Sequence, residues 1–162
     1  MRDGIIRLAD LADCDLVQRI TAEAYRRYEH EIGIVPLPAR EDHRPRIERG
    51  EVWLLEVRGE CVGLAVLENT PDHLLLYSIA VRPDRQGEGH GLRLLAFADE
   101  RAAEQGLAEV RLYTNALMQR NIAIYRRWGF VEIGRRSHPS REGHHVVDMA
   151  KRVGRDASSS PL

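Results

Sequence analysis

The stretch from Leu74 to Ala102 constrains this chain more than any other. A strand-like run, Leu74-Leu75-Leu76-Tyr77-Ser78-Ile79-Ala80-Val81, feeds a short polar turn. Glycines then alternate at 87, 89 and 91, and an amphipathic run follows with Leu92, Leu94, Leu95, Ala98 and Ala102 on one side. A strand, a glycine-rich turn and a helix start bring backbone amides together on one anion. Glycine there lets phosphate oxygens approach the backbone with no side chain in the way. The pattern predicts an α/β chain that holds a phosphate-bearing cofactor at this turn. A tight strand-to-helix connection without a ligand has the same spacing, so spacing alone leaves both readings open.

The alternatives among nucleotide folds are narrower. A P-loop needs Gly-Lys-Ser/Thr after its glycines, and His90-Gly91-Leu92 stands there instead. A dinucleotide fingerprint belongs to the first βαβ unit with several parallel strands after it. Glu109 does lie about twenty residues on, as that fingerprint asks. The turn, however, falls past mid-chain, with too little sequence behind it.

Gln86-Gly87-Glu88-Gly89-His90-Gly91 matches the Arg/Gln-Gly-x-Gly-x-Gly/Ala signature, and it follows a strand ending Val81-Arg82-Pro83. Further on, Tyr125-Arg126-Arg127-Trp128-Gly129-Phe130 matches a Tyr-x-x-x-Gly-Phe helix ending. In this order the two motifs resemble the GNAT superfamily of acyl-CoA N-acyltransferases, strongly from Leu74 to Phe130 and weakly before Glu51. The resemblance implies a GNAT-type α/β fold: a mixed, mostly antiparallel sheet, splayed at the central strand near Val81 and flanked by helices. It implies acetyl transfer from acetyl-CoA, as co-substrate, to an amine by direct attack in a ternary complex. Carried over residue by residue, the cofactor pyrophosphate falls to the turn Gln86, Gly87, Glu88, Gly89, His90 and Gly91. The pantetheine arm falls to the backbone of Ile79, Ala80 and Val81. Tyr125 becomes the group that protonates the leaving thiolate. A thiol has a pKa near 8.5 and tyrosine near 10, so that transfer is slightly uphill. A core aromatic ahead of Gly129-Phe130 is the plainer reading of the same residue.

Asn121 lies one helical turn before Tyr125 and so faces the same way, toward the cofactor arm or toward backbone. Here the chain departs from the family. The asparagine usually matched lies seven residues before the tyrosine, where Met118 stands, and Asn115 and Asn121 are the nearby substitutes. The general base is also missing from its usual strand, since Leu74 to Val81 contains no carboxylate. His73 and Tyr77 share one face of that strand, and Glu68 and Asp72 flank its start. A lysine ε-amine near pKa 10.4 is about 0.1% neutral at pH 7.4, whereas an α-amine near 8 is about 20% neutral. Lacking a dedicated base therefore costs about 4 kcal/mol for lysine and about 1 for an α-amine. The expected acceptor is a small-molecule or peptide N-terminal amine. Its selection falls to the early helices, where Tyr25-Arg26-Arg27-Tyr28-Glu29-His30-Glu31 suits a small charged molecule or is simply a solvated helix end.

The chain has 162 residues and a formal net charge of −1. That length fits one acyltransferase domain, residues 1–153, ending in a polar tail at 154–162. The mixed charge gives no basic footprint for nucleic acid. No apolar run approaches roughly 18 residues, so no membrane partner is expected. Cys14 and Cys61 have no ligand set around them and read as reduced thiols of a cytoplasmic protein. His138, His144 and His145 lack carboxylate or thiol partners, so no metal is expected. Oligomeric state stays open, a homodimer included.

Periodicity places strands at Gly4 to Leu8, Glu51 to Val57 and Glu60 to Leu67, the last two joined at Arg58-Gly59 with imperfect alternation at Cys61-Val62-Gly63-Leu64. Helices are expected from the Asp13 cap to about Tyr28, from Arg40 to Arg49, from the glycine turn to Gly106, and from Met118 to Trp128. The central strand starts at His73, and later strands cover Ala108 to Tyr113, Phe130 to Arg136 and His144 to Lys151. A rival from another class is a non-catalytic acyl-CoA-binding sensor or regulatory module, favoured by the strand without a carboxylate. A third reading is some other nucleotide-binding protein.

Overall fold

The computed structural model describes residues 4–153, and in it the turns decide which strands pair as hairpins. Strands β1 (Gly4–Leu8), β2 (Val52–Val57), β3 (Glu60–Asn69), β4 (Leu74–Val81), β5 (Glu109–Asn115), β6 (Val131–Ser137) and β7 (His145–Arg152) form one open sheet ordered β1-β2-β3-β4-β5-β7-β6. Helices α1 (Cys14–Ile32), α2 (Leu37–Arg40), α3 (Arg44–Glu48), α4 (His90–Glu104) and α5 (Gln119–Trp128) complete an α/β chain. Pairing is antiparallel for β1–β2, β2–β3, β5–β7 and β6–β7, and parallel for β4–β5. The chain divides into two compact units, the first running to Glu68 and resuming over Tyr77–Leu94, the second comprising Asn69–Leu76 and the chain from Leu95 on. The expected tail at 154–162 lies outside the described residues. Among the described residues no helix is long and apolar enough to cross a membrane.

In the first unit, Arg58 and Gly59 both take positive φ, 54° and 80°, the backbone that a two-residue hairpin needs. The pairing then slips: Leu55 faces Gly63 while Glu56 faces Cys61, leaving Val62 as the extra residue of a β-bulge. The bulge explains the broken alternation, because Cys61 through Leu67 are all buried. Val17 and Ile20 of α1 pack with Val52, Leu54, Leu64, Val66 and Ala80 in one core cluster. Each such aliphatic side chain contributes about 1.5–3 kcal/mol on burial.

Two helices differ from expectation. Helix α1 runs one turn past Tyr28 and stops at Gly33, whose φ of 74° lets its N–H close on the Glu29 carbonyl. Asp13 precedes it but makes no side-chain cap. Its carboxylate instead takes Arg7 at 2.9 Å and the Asp10 N–H at 2.8 Å. The expected helix over Arg40 to Arg49 is two short ones, α2 and α3. Pro45 can occupy only a first turn, so a new helix starts beside it.

In the second unit, Leu74 pairs with Val110 and Leu75 with Arg111, while β5 and β7 run antiparallel along seven matched positions. Helix α5 ends at Gly129, with φ 119° and its N–H on the Tyr125 and Arg126 carbonyls. Asp99 of α4 accepts from Trp128 Nε1 at 3.1 Å and from Lys151 Nζ at 2.8 Å, tying α4 to α5 and β7.

Candidate active site

Strand β4 alternates buried and half-buried residues along its whole length. Successive residues of a strand also turn their N–H and C=O groups to opposite edges. The Arg82 N–H donates to the Val62 carbonyl at 2.9 Å, and the Ala80 carbonyl faces Gly63, where an added Cβ would stand only 2.7 Å away. Ala80 and Arg82 therefore address β3, and Ile79 and Val81 address the other edge. Their carbonyls are already engaged there: Gln86 Nε2 donates to Val81 at 3.2 Å and the Tyr25 hydroxyl to Ile79 at 3.4 Å. The N–H groups of Ile79 and Val81 are the donors this edge offers. Tyr25 also meets the buried Ser78 hydroxyl at 3.4 Å, and burial pushes its phenol above the ordinary value.

Beyond β4, a 3-10 turn at Pro83–Arg85 leads into the glycines. Gly87 and Gly89 have φ of 85° and 91°, a left-handed backbone that side-chain-bearing residues rarely adopt. A Cβ placed on Gly87, Gly89 or Gly91 would meet nothing within 4 Å, so the space over the turn is open. Helix α4 starts there, with the Arg93 N–H already bonded to the Gly89 carbonyl. The amides before Arg93 belong to the helical turn that lacks intrahelical partners. The side chains of the motif brace the turn from beside it. Glu88 takes Arg85 at 3.0 Å and His90 Nε2 at 2.9 Å, and those hydrogen bonds, His90 first, hold its carboxyl below the ordinary value. Arg85 and Arg82 in turn share Glu60, at 2.9 and 2.5 Å.

A second cluster in the first unit gives no signal in the sequence. Arg46 of α3 takes Glu41 at 2.8 Å, Glu51 at 2.9 Å and Glu68, while its guanidinium lies 3.7 Å over the Tyr77 ring. Burial works against its charge, and Glu68 and Glu41 overturn that and hold it raised. The Tyr77 hydroxyl donates to Glu41. Of the base candidates read from the sequence, Glu68 and Tyr77 are therefore committed to this network.

In the second unit, Tyr125 is buried, with its ring edge-on to Phe130 at 5.8 Å. Asn121 stands one turn earlier on α5. Met118 is buried, and the Thr114 hydroxyl contacts its sulfur. Asn115 builds the turn after β5: its Oδ1 accepts from the Leu117 N–H at 2.9 Å and its Nδ2 meets His144 Nδ1 at 3.1 Å.

The same unit carries a cavity of about 360 Å³, of the size that small ligands occupy. Strand register builds it in two rows: Leu75 beside Arg111, and Tyr113 beside Asp148 beside Gly134. His73 and Met149 also line it. Asp148 is held by Arg136 in a two-pronged pair at 2.9 and 3.0 Å. Arg111 Nε donates to Glu109 at 2.8 Å, and its terminal nitrogens make no hydrogen bond among the described residues. His73 Nδ1 lies 2.7 Å from Asp72 Oδ1 and 3.1 Å from the Thr70 hydroxyl. The hydrogen bond with His73 holds the Asp72 carboxyl below its ordinary value. Nothing in the sequence singles out Arg111, Tyr113 or Asp148, because the register that gathers them is non-local.

The chain belongs to the acetyltransferase (GNAT) domain family, whose model matches residues 48–132, a stretch that runs through both units. It is 32% identical over 100 residues to the [ribosomal protein bS18]-alanine N-acetyltransferase of Escherichia coli strain K12, covering 59% of this chain and 68% of that one. It is 26% identical over 110 residues to N-acetyltransferase family 8 member 2 of Rattus norvegicus, covering 64% of this chain but 45% of the relative, so less than half of that protein's length is matched. Among solved structures, the E. coli ribosomal-protein-S18-alanine N-acetyltransferase superposes with a TM-score of 0.70 at 23% identity, over 93% of this chain and 94% of that one. The PaiA N-acetyltransferase of Thermoplasma acidophilum, solved with coenzyme A, gives 0.74 at 16% identity over 92% and 98%. At these identities the superpositions speak for the fold.

Proposed function

We propose that this chain is an acetyl-CoA-dependent N-acetyltransferase whose acceptor is a small-molecule or N-terminal amine. Residues 1–153 act as one cytoplasmic acyltransferase domain. The observation that carries the reading is the open, left-handed turn at Gly87 and Gly89 ahead of α4, with its side chains drawn aside. Hydrogen bonds to a charged group contribute roughly 1.5–3 kcal/mol each, so several amides hold a pyrophosphate without a lysine. The N–H groups of Ile79 and Val81 offer a strand edge to the pantetheine arm. The amine attacks the thioester carbonyl, the C–S bond breaks, and the Tyr125 hydroxyl hands its proton to the departing sulfur.

A calorimetric titration with acetyl-CoA, using ADP as control, tests the cofactor. Micromolar acetyl-CoA binding with much weaker ADP binding is the expected result. Equal binding of the two overturns the pantetheine assignment, and no binding overturns the enzyme. CoA-thiol release with a mixed amine pool then separates the enzyme from a non-catalytic acyl-CoA sensor, which binds and releases nothing.

A further inference from the structure

We propose that the β2–β3 hairpin sets the shape of the cofactor turn, and that Glu60 is the positioning residue through which it does so. This rests on the reading that the turn holds acetyl-CoA, and every residue it uses lies in the first unit. Glu60 pairs with Val57 across Arg58-Gly59, so its backbone is set by the tightest point of the hairpin. Two residues on, the bulged Val62 accepts the Arg82 N–H at 2.9 Å, which fixes where the chain leaves β4.

A chain of alternating charge then crosses the turn from side to side. Glu60 takes Arg82 at 2.5 Å and Arg85 at 2.9 Å through separate oxygens, and Asp84 takes the other terminal nitrogen of Arg82 at 2.9 Å. Arg85 holds Glu88 at 3.0 Å, and Glu88 holds His90, the first residue of α4, at 2.9 Å. Every link joins side chain to side chain, so none of them consumes an amide of the turn.

The turn needs such an outside restraint. Gly87 and Gly89 have no side chain that could hold their own left-handed backbone, and glycine has the most conformational freedom to lose. Amides already aimed at one point bind an anion without first being ordered, whereas in a loose turn that ordering is subtracted from the affinity. The Glu60 side chain is 51% exposed, and one exposed ion pair contributes little, so a few-fold change is expected and not a loss of binding. A single carboxylate carries two of the links, so its removal should act more strongly than the loss of one pair.

Titration calorimetry with acetyl-CoA on wild type, Glu60→Gln, Glu88→Gln and the double variant tests this. Glu60→Gln keeps one acceptor oxygen of two and should bind acetyl-CoA roughly three- to ten-fold more weakly. Glu60 and Glu88 share Arg85, so the loss in the double variant should be smaller than the product of the two single losses. Hydrogen exchange without ligand gives a readout that a general loss of stability would not. Amides from Arg85 to Gly91 should exchange faster in Glu60→Gln, with those of β4 unchanged. A Glu60→Gln affinity within about two-fold of wild type overturns the proposal, and so does tighter binding, which would mean that freed arginines reach the phosphates. Single losses that multiply in the double variant overturn the link through Arg85. A wild type that binds no acetyl-CoA overturns the cofactor reading itself, whereas unaltered exchange at the turn of Glu60→Gln overturns the positioning role alone.

Discussion

Replacing Gly63 by alanine should disturb the cofactor strand from behind, through one atom. The added Cβ would stand 2.7 Å from the Ala80 carbonyl oxygen and 3.4 Å from both Val81 Cα and Leu94 Cδ1. Real Cβ atoms essentially never approach closer than 3.0 Å, and the blocking atom is backbone, so no side-chain rotation relieves it. β3 and β4 must separate there by roughly half an ångström, against the 2.9 Å bond from the Arg82 N–H to the Val62 carbonyl. Overpacking of this kind costs about 1–3 kcal/mol. At this chain length each kcal/mol moves the unfolding midpoint by about 2–4 °C, so Tm should fall by about 2–12 °C. Ala80 sits between Ile79 and Val81, whose N–H groups are the proposed pantetheine donors, so acetyl-CoA should bind roughly three- to ten-fold more weakly. Scanning calorimetry and titration calorimetry read the two effects on one preparation. Gly134→Ala is the control, since its Cβ would meet nothing closer than Asp148 at 3.9 Å. A Gly63→Ala protein that melts within 1 °C of wild type and binds equally well refutes the close approach and its link to the cofactor edge.

Three further substitutions probe the other parts. Gly89→Glu puts a side chain at φ 91° and a carboxylate beside the phosphates; acetyl-CoA affinity should fall at least about a hundred-fold with the circular dichroism unchanged, while Gly89→Ala carries the strain without the charge and keeps most of the binding. Undiminished affinity in Gly89→Glu removes the cofactor from this turn. Tyr125→Phe keeps the ring against Phe130 and should lower kcat about ten- to a hundred-fold without changing acetyl-CoA affinity, and an unchanged kcat denies it the acid role. Asp99→Ala strands Lys151 and the Trp128 N–H; after discounting for the one-fifth exposure of Lys151 and Asp99 the cost is about 2–4 kcal/mol, read as a Tm drop of about 4–16 °C, and a drop under 2 °C refutes the network.

The sequence was most legible where local chemistry decides the outcome. Strand β1 has the expected bounds, and the Arg58-Gly59 hairpin follows from two residues tolerating positive φ. Helix α4 ends two residues before Gly106, with the Leu107 N–H closing on the Ala102 carbonyl. The errors share a cause as well. Gly33 is a helix stop that the prolines at 36 and 38 mask, and Pro45 cannot sit inside the ten-residue helix expected over it. Asp13 looks like a cap because its carboxylate is well placed for one, yet a tertiary partner, Arg7, outbids the helix. The bulge at Val62 shows in the sequence only as broken alternation, since its meaning depends on how β2 is registered against β3.

A similar divide separates the cofactor turn from the cavity of the second unit. The cofactor turn is contiguous, so one short stretch must encode it. Its glycines supply the backbone, and its polar side chains, Gln86, Glu88 and His90, supply the bracing. That assigns the motif's polar letters to loop geometry, so substitutions there should act on how the amides are presented. The cavity of the second unit is the opposite case. Arg111, Tyr113 and Asp148 meet because Leu75 pairs with Arg111 and Tyr113 with Asp148, pairings set by sheet register across more than seventy residues of chain. No local pattern could announce them, and the sequence offers His73 only as one of four base candidates beside β4. Its neighbour Asp72 acquires meaning from the 2.7 Å contact that fixes the imidazole tautomer. The strand without a carboxylate therefore weighs the same in the structure as in the sequence, and thiol release with an amine pool decides between enzyme and sensor.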